Sequence, residues 1–256
     1  MTNKEKQYNK KLQELIDGVG KLQDKEVAKV LAMLEQARLD VAARIASTEW
    51  DAYYIPQLRA SVDRAIETFR QRYMGEQQGA LNNMWNAGID QVDSPLQYVG
   101  IRLAAPEISR VALEIAQGYS ADLVNGLSAD ALKQVNGNII SGIMGQKTPF
   151  DVMKEIGRSL DEKSTFASIA HRAEAITRTE MAKVNTLSRE ARIQGTVANN
   201  PDLPWKKKWI SSGKARPRPH HAALNGVMVD IAEKFPGGIP YPHAPGLPAA
   251  EVVNCG

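Results

Sequence analysis

One acidic residue, Glu180, lies in the middle of an apolar stripe that has helical spacing. The stripe belongs to a predicted helix from about Thr165 to Gln194. Its apolar members are Ile169, Ala173, Ile176, Val184, Leu187 and Ala191. A carboxylate on an apolar face is costly unless it is paired and hydrogen-bonded. The chain must therefore either supply a partner for Glu180 or use it at a functional site.

The loop that follows this helix carries two candidate partners, Arg216 and Arg218. Arginine suits a buried carboxylate because its planar guanidinium reaches both oxygens and stays charged. We predict a structural ion pair in which one of these arginines holds Glu180 and joins the loop to the helix. The alternative is a general base activated by burial. Arg178 is expected on another face, towards solvent or a partner.

Hydrophobic periodicity and helix-start signals divide the chain into two parts. Residues 1–135 are predicted as a helical, partner-docking region, and residues 136–256 as the second domain. The local signals are a helix start at Pro56, starts in Asp93–Leu96 and at Pro106, a cap at Thr148, a hinge in Asn136–Gly145 and a helix end at Gly195.

After Gly195 the texture of the sequence changes to proline, glycine, tryptophan and short β-like runs. Two runs, Lys206–Ile210 and Gly226–Ile231, are predicted strands. The predicted fold class is α+β: a mostly helical N-terminal region, then a small α+β domain with a long helix packed on a short sheet.

His220, His221, His243 and Cys255 are metal-ligand types, but their spacing matches no standard zinc motif. We therefore predict no metal, no cofactor and no catalytic residue. The alternative is a nuclease or metal-dependent hydrolase that uses Glu180 with the pair His220 and His221. His221 is otherwise expected to hydrogen-bond the C-terminal tail.

A basic cluster precedes the histidines and contains no acid. Its lysines are Lys206, Lys207, Lys208 and Lys214, with Trp205 and Trp209 beside them. Lysines next to aromatic rings can follow a phosphate backbone without reading sequence, which makes a sequence-independent DNA-binding module a second alternative. The competing interpretation is a solvated strand edge, because lysines also prevent edge pairing.

Composition restricts the remaining choices. The formal net charge of +3 implies no strong global field, and the single cysteine excludes an internal disulfide framework. The charged N-terminus has no signal-peptide pattern, and no run approaches the ~18 apolar residues of a membrane span. We expect a soluble protein that is made in a host cytoplasm and does not contact a membrane.

Several motifs occur in an order that resembles the phage Mu F-type minor head proteins, the phage head morphogenesis family. They are "AITRTEMAKVNTLSREARIQG", "KKWISSGKARPRPHHAALNG" and the ending "EVVNC". The resemblance covers about residues 140–256. The matching positions are Arg178, Thr179, Glu180, Trp209, Arg216, Arg218, His221, Gly226, Asn254 and Cys255. The family often ends Asn-Cys-Arg-Cys, whereas this chain ends Asn-Cys-Gly.

The resemblance implies a structural virion component of a tailed bacteriophage, inside the head near the portal vertex. Such proteins are thought to act in head assembly and in DNA packaging or ejection. The implied partners are the portal protein, the major capsid protein and packaged double-stranded DNA, with multiple copies of the protein in each virion. Non-enzymatic function is expected on the same ground.

Overall fold

A computed structural model of the chain describes residues 2–50, 53–211, 218–244, 246–248 and 251. Within these residues the chain forms helices and two short strands. The helices are α1 (Asn3–Ser47), α2 (Ile55–Tyr98), α3 (Val111–Ile143), α4 (Pro149–Ile156), α5 (Thr165–Ala198) and α6 (Pro219–Leu224). The strands are β1 (Lys206–Lys208) and β2 (Met228–Asp230). The predicted fold class, mostly helical with a small α+β part, is confirmed.

The chain divides into two compact units, each made of segments that are not contiguous in sequence. Unit 1 comprises Met1–Gln23, Ala80–Ala116 and Arg178–Gly256. Unit 2 comprises Asp24–Gly79 and Gln117–Thr177. The predicted boundary between residues 135 and 136 stays a prediction. The docking role of residues 1–135 stays a prediction.

Unit 2 has one core, formed by apolar side chains that recur every three or four residues along its helices. The largest fully buried members include Leu34, Phe69, Tyr73, Ile139 and Phe166. The phenol of Tyr73 donates to the carbonyl of Ala173 at 2.9 Å. This bond satisfies the hydroxyl group of a large buried ring, so the core does not bury an unpaired polar group at that position.

The start of α4 illustrates how local sequence determines a helix end. The hydroxyl of Thr148 accepts from the backbone N–H of Asp151 at 3.1 Å, and the Asp151 carboxylate accepts from the backbone N–H of Thr148 at 3.1 Å. This reciprocal capping box satisfies two backbone donors at the helix start. The predicted cap at Thr148 is therefore confirmed, as is the helix start around Pro56.

Unit 1 contains two apolar clusters. One includes Leu81, Met84 and Trp85 of α2, Leu113 of α3, and Met181 and Val184 of α5. Gly88 allows α2 to approach α5 closely, because a β-carbon at this position would lie 2.3 Å from the carbonyl oxygen of Asn185. The second cluster surrounds the sheet and is described with the site below.

The ion pair between Arg192 and Asp93 connects α5 to α2 within unit 1. Arg192 Nε and Nη2 lie 2.7 and 2.6 Å from the two carboxylate oxygens of Asp93. Nη1 of the same guanidinium donates to the carbonyl of Pro106 at 2.7 Å. One side chain thus joins two helices and the segment that precedes α3.

Four of the local predictions were wrong. The helix start in Asp93–Leu96 does not exist, because α2 continues through Pro95. Pro106 opens no helix: α3 begins only at Val111. Gly195 lies inside α5, where a β-carbon would lie 2.9 Å from Cγ of Pro106, so the glycine permits packing. The predicted hinge is helical as far as Ile143.

Along the described residues, none of the helices is both long and apolar enough to cross a membrane.

Candidate functional site

The strands β1 and β2 form an antiparallel pair in which Lys206 faces Asp230 and Lys208 faces Met228. The ladder continues beyond β1, because the N–H of Trp209 donates to the carbonyl of Val227 at 2.9 Å. The N–H of Gly226 returns a bond of 2.9 Å to the carbonyl of Trp209. The two predicted strands are therefore confirmed, and α6 lies in the connection between them.

An aromatic cluster packs against this small sheet. Its buried members are Trp209, Leu224, Phe235 and Ile239. The rings of Trp209 and Phe235 meet edge to face at 5.2 Å, a favoured geometry for aromatic pairs. Leu224 belongs to α6, so the apolar face of this short helix is fixed against the sheet.

The same helix positions His220 and His221. Pro219 occupies its first turn. The centres of the two imidazole rings lie 4.5 Å apart, and the ring planes form an angle of 69°. His221 is buried, with its ring 5.7 Å from that of Trp209, whereas His220 is exposed. Nε2 of His220 lies 2.7 Å from Oε2 of Glu251, and Nε2 of His221 lies 3.0 Å from the same oxygen.

The electrostatics of this His-His-Glu cluster follow from burial and from the shared oxygen. Burial lowers the pKa of His221, and the neighbouring His220 lowers it further. The hydrogen bond from His220 is the main cause that lowers the pKa of Glu251. The cluster therefore favours an ionised Glu251 between two imidazole nitrogens.

Arg218 precedes α6 and is half-buried. Its Nη1 donates to the backbone carbonyl of Glu251 at 3.2 Å. This contact holds the residue that both histidines share. The predicted residues Arg216, Lys214, Asn254 and Cys255 lie outside the described residues, so their predicted roles stay predictions.

Glu180 is buried as predicted, with an exposed fraction of 3%. One partner is a lysine of the same helix, and the predicted ion pair with Arg216 or Arg218 stays a prediction. One carboxylate oxygen of Glu180 lies 2.8 Å from Nζ of Lys183, one turn further along α5. A lysine at i+3 reaches the carboxylate from the same helix and supplies a positive charge beside it. Arg218 donates to the backbone carbonyl of Glu251.

The other two residues of the Arg-Thr-Glu triplet lie on α5 beside Glu180. Thr179 is buried, and Arg178 is half-buried rather than fully exposed. The backbone carbonyl of Arg178 accepts a bond of 3.5 Å from the side-chain amide of Gln23 on α1. The triplet therefore lies where α5 packs on α1 inside unit 1.

The lysines of β1 point in alternating directions, as expected for a strand. Lys206 and Lys208 are exposed. Lys207 points inward: its Nζ donates to the carbonyl of Pro240 at 3.1 Å and lies 5.5 Å from the centre of the Phe235 ring. Of these three lysines, Lys206 and Lys208 have exposed side chains.

Glu251 is the site residue that the sequence reasoning missed. It lies 30 residues beyond His221 along the chain, so no local spacing connects the two. The signal available in the sequence was a single carboxylate in the motif "EVVNC". Among the described residues, the cluster of potential metal ligands contains Glu251 and not Glu180. The nuclease or hydrolase alternative that uses Glu180 with His220 and His221 stays a prediction.

The motifs on α5, β1 and α6 lie in the part of the chain that matches a known protein family. Residues 133–255 match the family model described as Phage Mu protein F like protein. This match confirms the resemblance that the sequence shows over its C-terminal part. Comparisons with curated proteins and with solved structures gave no match.

Proposed function

We propose that this protein is a minor head protein of a tailed bacteriophage that lies inside the capsid near the portal vertex. It acts in head assembly and in DNA packaging or ejection, in multiple copies per virion. The observation that carries this proposal is the family match over residues 133–255. The role is structural and requires no catalytic residue or cofactor.

An apolar stripe on α3 supports docking on a large protein partner. Val111, Ile115 and Tyr119 follow one another at intervals of four residues, which places them on one face of the helix. Their exposed fractions are 58%, 69% and 53%. Exposed large apolar side chains in a row are typical of helices that pack against another protein. The portal protein is the proposed occupant, and the major capsid protein is a second neighbour.

The test is co-purification of the full-length chain with the portal protein from cells infected by the phage. We expect recovery of the portal protein with the wild type and its loss with Ile115→Lys. Met228→Lys is the matched control, because Met228 is another exposed apolar residue on a different surface. Recovery of host enzymes alone with the wild type would contradict the proposal.

The exposed lysines of β1 support a weak, sequence-independent contact with packaged DNA. Lys206 and Lys208 lie two residues apart on one strand face, and Lys206 is only 3.6 Å from the exposed carboxylate of Asp230. A loose surface ion pair of this kind has little stability to lose when a phosphate replaces the carboxylate. Two phosphate contacts would form at this edge.

The salt dependence of the DNA affinity tests whether Lys206 and Lys208 contact phosphate groups. A double variant, Lys206→Gln with Lys208→Gln, is expected to reduce the slope of log K against log salt by about 2. The control variant carries the same substitutions at Lys4 and Lys10, two exposed lysines of α1. Its net charge therefore equals that of the test variant. Equal slopes for the two variants would show that β1 makes no particular contact with DNA.

A further inference from the structure

The His-His-Glu cluster of His220, His221 and Glu251 has a geometry that two ordinary hydrogen bonds do not require. Both imidazoles direct Nε2 at the same oxygen, at 2.7 and 3.0 Å. The potential ligand atoms of the three residues all lie within 4.8 Å of one another. Two imidazole nitrogens and one carboxylate oxygen therefore lie close enough together to bind one ion.

Neighbouring groups hold each member of the cluster in place. His221 is buried beside Trp209. Both histidines belong to α6, whose Leu224 packs in the aromatic cluster. Arg218 holds the backbone of Glu251 at 3.2 Å. Because these supports are outside the cluster, small movements of the three side chains suffice to bring their ligand atoms around an ion.

We propose that Nε2 of His220, Nε2 of His221 and a carboxylate oxygen of Glu251 bind one divalent transition-metal ion, with Zn²⁺ as the best match. Zinc accepts imidazole nitrogen and carboxylate oxygen at about 2.0–2.2 Å, and three such ligands leave one tetrahedral position for water or a further ligand. Two imidazoles disfavour Mg²⁺ and Ca²⁺, which prefer oxygen ligands.

The ion acts as a cross-link between α6 and the C-terminal segment. It connects two parts of the chain that are 30 residues apart, counted from His221 to Glu251. An ion that binds the folded state alone stabilises it by mass action. The inference is independent of the proposed portal contact, because it concerns a different surface and a different ligand.

The experiment uses the untagged full-length chain after treatment with a chelator, near neutral pH. Titration with ZnCl₂ in a calorimeter is expected to show one ion per chain. Saturating Zn²⁺, at about 100 times its Kd, should raise the Tm by roughly 5–10 °C. Co²⁺ provides a second readout, because its visible absorption bands report binding through nitrogen and oxygen ligands.

Two variants remove one ligand each without opening the core. His220→Ala changes an exposed side chain, and Glu251→Gln preserves the shape of the carboxylate. Each variant is expected to weaken Zn²⁺ binding at least tenfold. Loss of a residue that only supports a ligand already weakens metal binding by about 10–100-fold, and loss of a ligand itself should cost at least as much. His171→Ala and Glu233→Gln are the matched controls, since both replace exposed residues outside the cluster.

Equal affinities in the test variants and the controls would overturn the proposal, as would the absence of binding at one ion per chain in the wild type. Binding of Mg²⁺ as tight as that of Zn²⁺ would contradict the assigned ligand chemistry. Circular dichroism of each variant without metal shows whether the fold is intact, so a loss of affinity through unfolding is recognised directly.

Discussion

Gly88 provides the sharpest test of how α2 and α5 pack in unit 1. A β-carbon at this position would lie 2.3 Å from the carbonyl oxygen of Asn185, 3.0 Å from the backbone nitrogen of Arg189 and 2.0 Å from Oγ of Ser188. The first two atoms belong to the backbone of α5 and cannot rotate away. Gly88→Ala therefore requires the helices to separate by about 1 Å, since ordinary contact begins near 3.4 Å.

The expected magnitude combines two opposing effects. Overpacking of a well-packed contact costs up to about 3 kcal/mol when the obstructing atoms are backbone. Replacing glycine by alanine inside a helix returns about 1 kcal/mol of helix propensity. The net loss in the free energy of unfolding is then about 2 kcal/mol, which lowers the Tm by roughly 4–8 °C for a chain of this size.

The matched control is Gly79→Ala, in the same helix. No atom lies within 4 Å of a β-carbon at Gly79, so only the gain in helix propensity remains. This variant should raise the Tm by roughly 2–4 °C. Thermal unfolding monitored by circular dichroism measures both changes in Tm, and the slope of a urea transition shows whether the folded state keeps its compactness.

A third variant separates the side-chain clash from the backbone clash. Ser188→Ala in the Gly88→Ala background removes the contact at 2.0 Å and leaves the two contacts with the α5 backbone. We expect partial recovery of stability at most. A Tm of Gly88→Ala equal to or above that of Gly79→Ala would refute the close approach of α2 and α5.

Three further predictions concern single contacts. Thr148→Ala should lower the stability by about 1 kcal/mol in thermal unfolding, and Thr148→Ser should preserve the capping box with Asp151; equal losses would exclude the cap. Arg192→Lys should cost about 1–2 kcal/mol because lysine cannot bond both oxygens of Asp93, and an unchanged urea midpoint would contradict this. Burial raises the pKa of Glu26, so its ionised form weakens the fold as pH rises through that pKa. Glu26→Gln should therefore gain stability relative to the wild type as the pH rises above the usual glutamate pKa of 4.5, and a constant difference would refute this.

Local signals predicted some helix ends correctly and others wrongly. The cap at Thr148 depends on atoms within four residues, so its geometry follows from the sequence alone. Pro95 and Gly195 carry equally strong local signals, yet both lie inside helices. At Gly195 the deciding contact is Pro106, which is remote in the sequence and absent from any local pattern.

Some features of the candidate site were also predicted correctly, and others were missed. The burial of Glu180 follows from the period of the apolar stripe on α5 and is confirmed. Lys183 was not predicted as a partner of Glu180, because the period of the stripe does not say which cation approaches the carboxylate. Glu251 was missed because its relation to His220 and His221 exists only after folding.

The residues of the apolar cluster between α2, α3 and α5 come from two parts of the sequence, which has a consequence for gene exchange between phages. The family-matched stretch, residues 133–255, provides Met181 and Val184, whereas Leu81, Trp85 and Leu113 come from upstream of it. Recombination that swapped only the matched stretch would bring together halves that never co-evolved. We therefore expect crossovers that yield viable progeny to fall ahead of α1 rather than between α3 and α5.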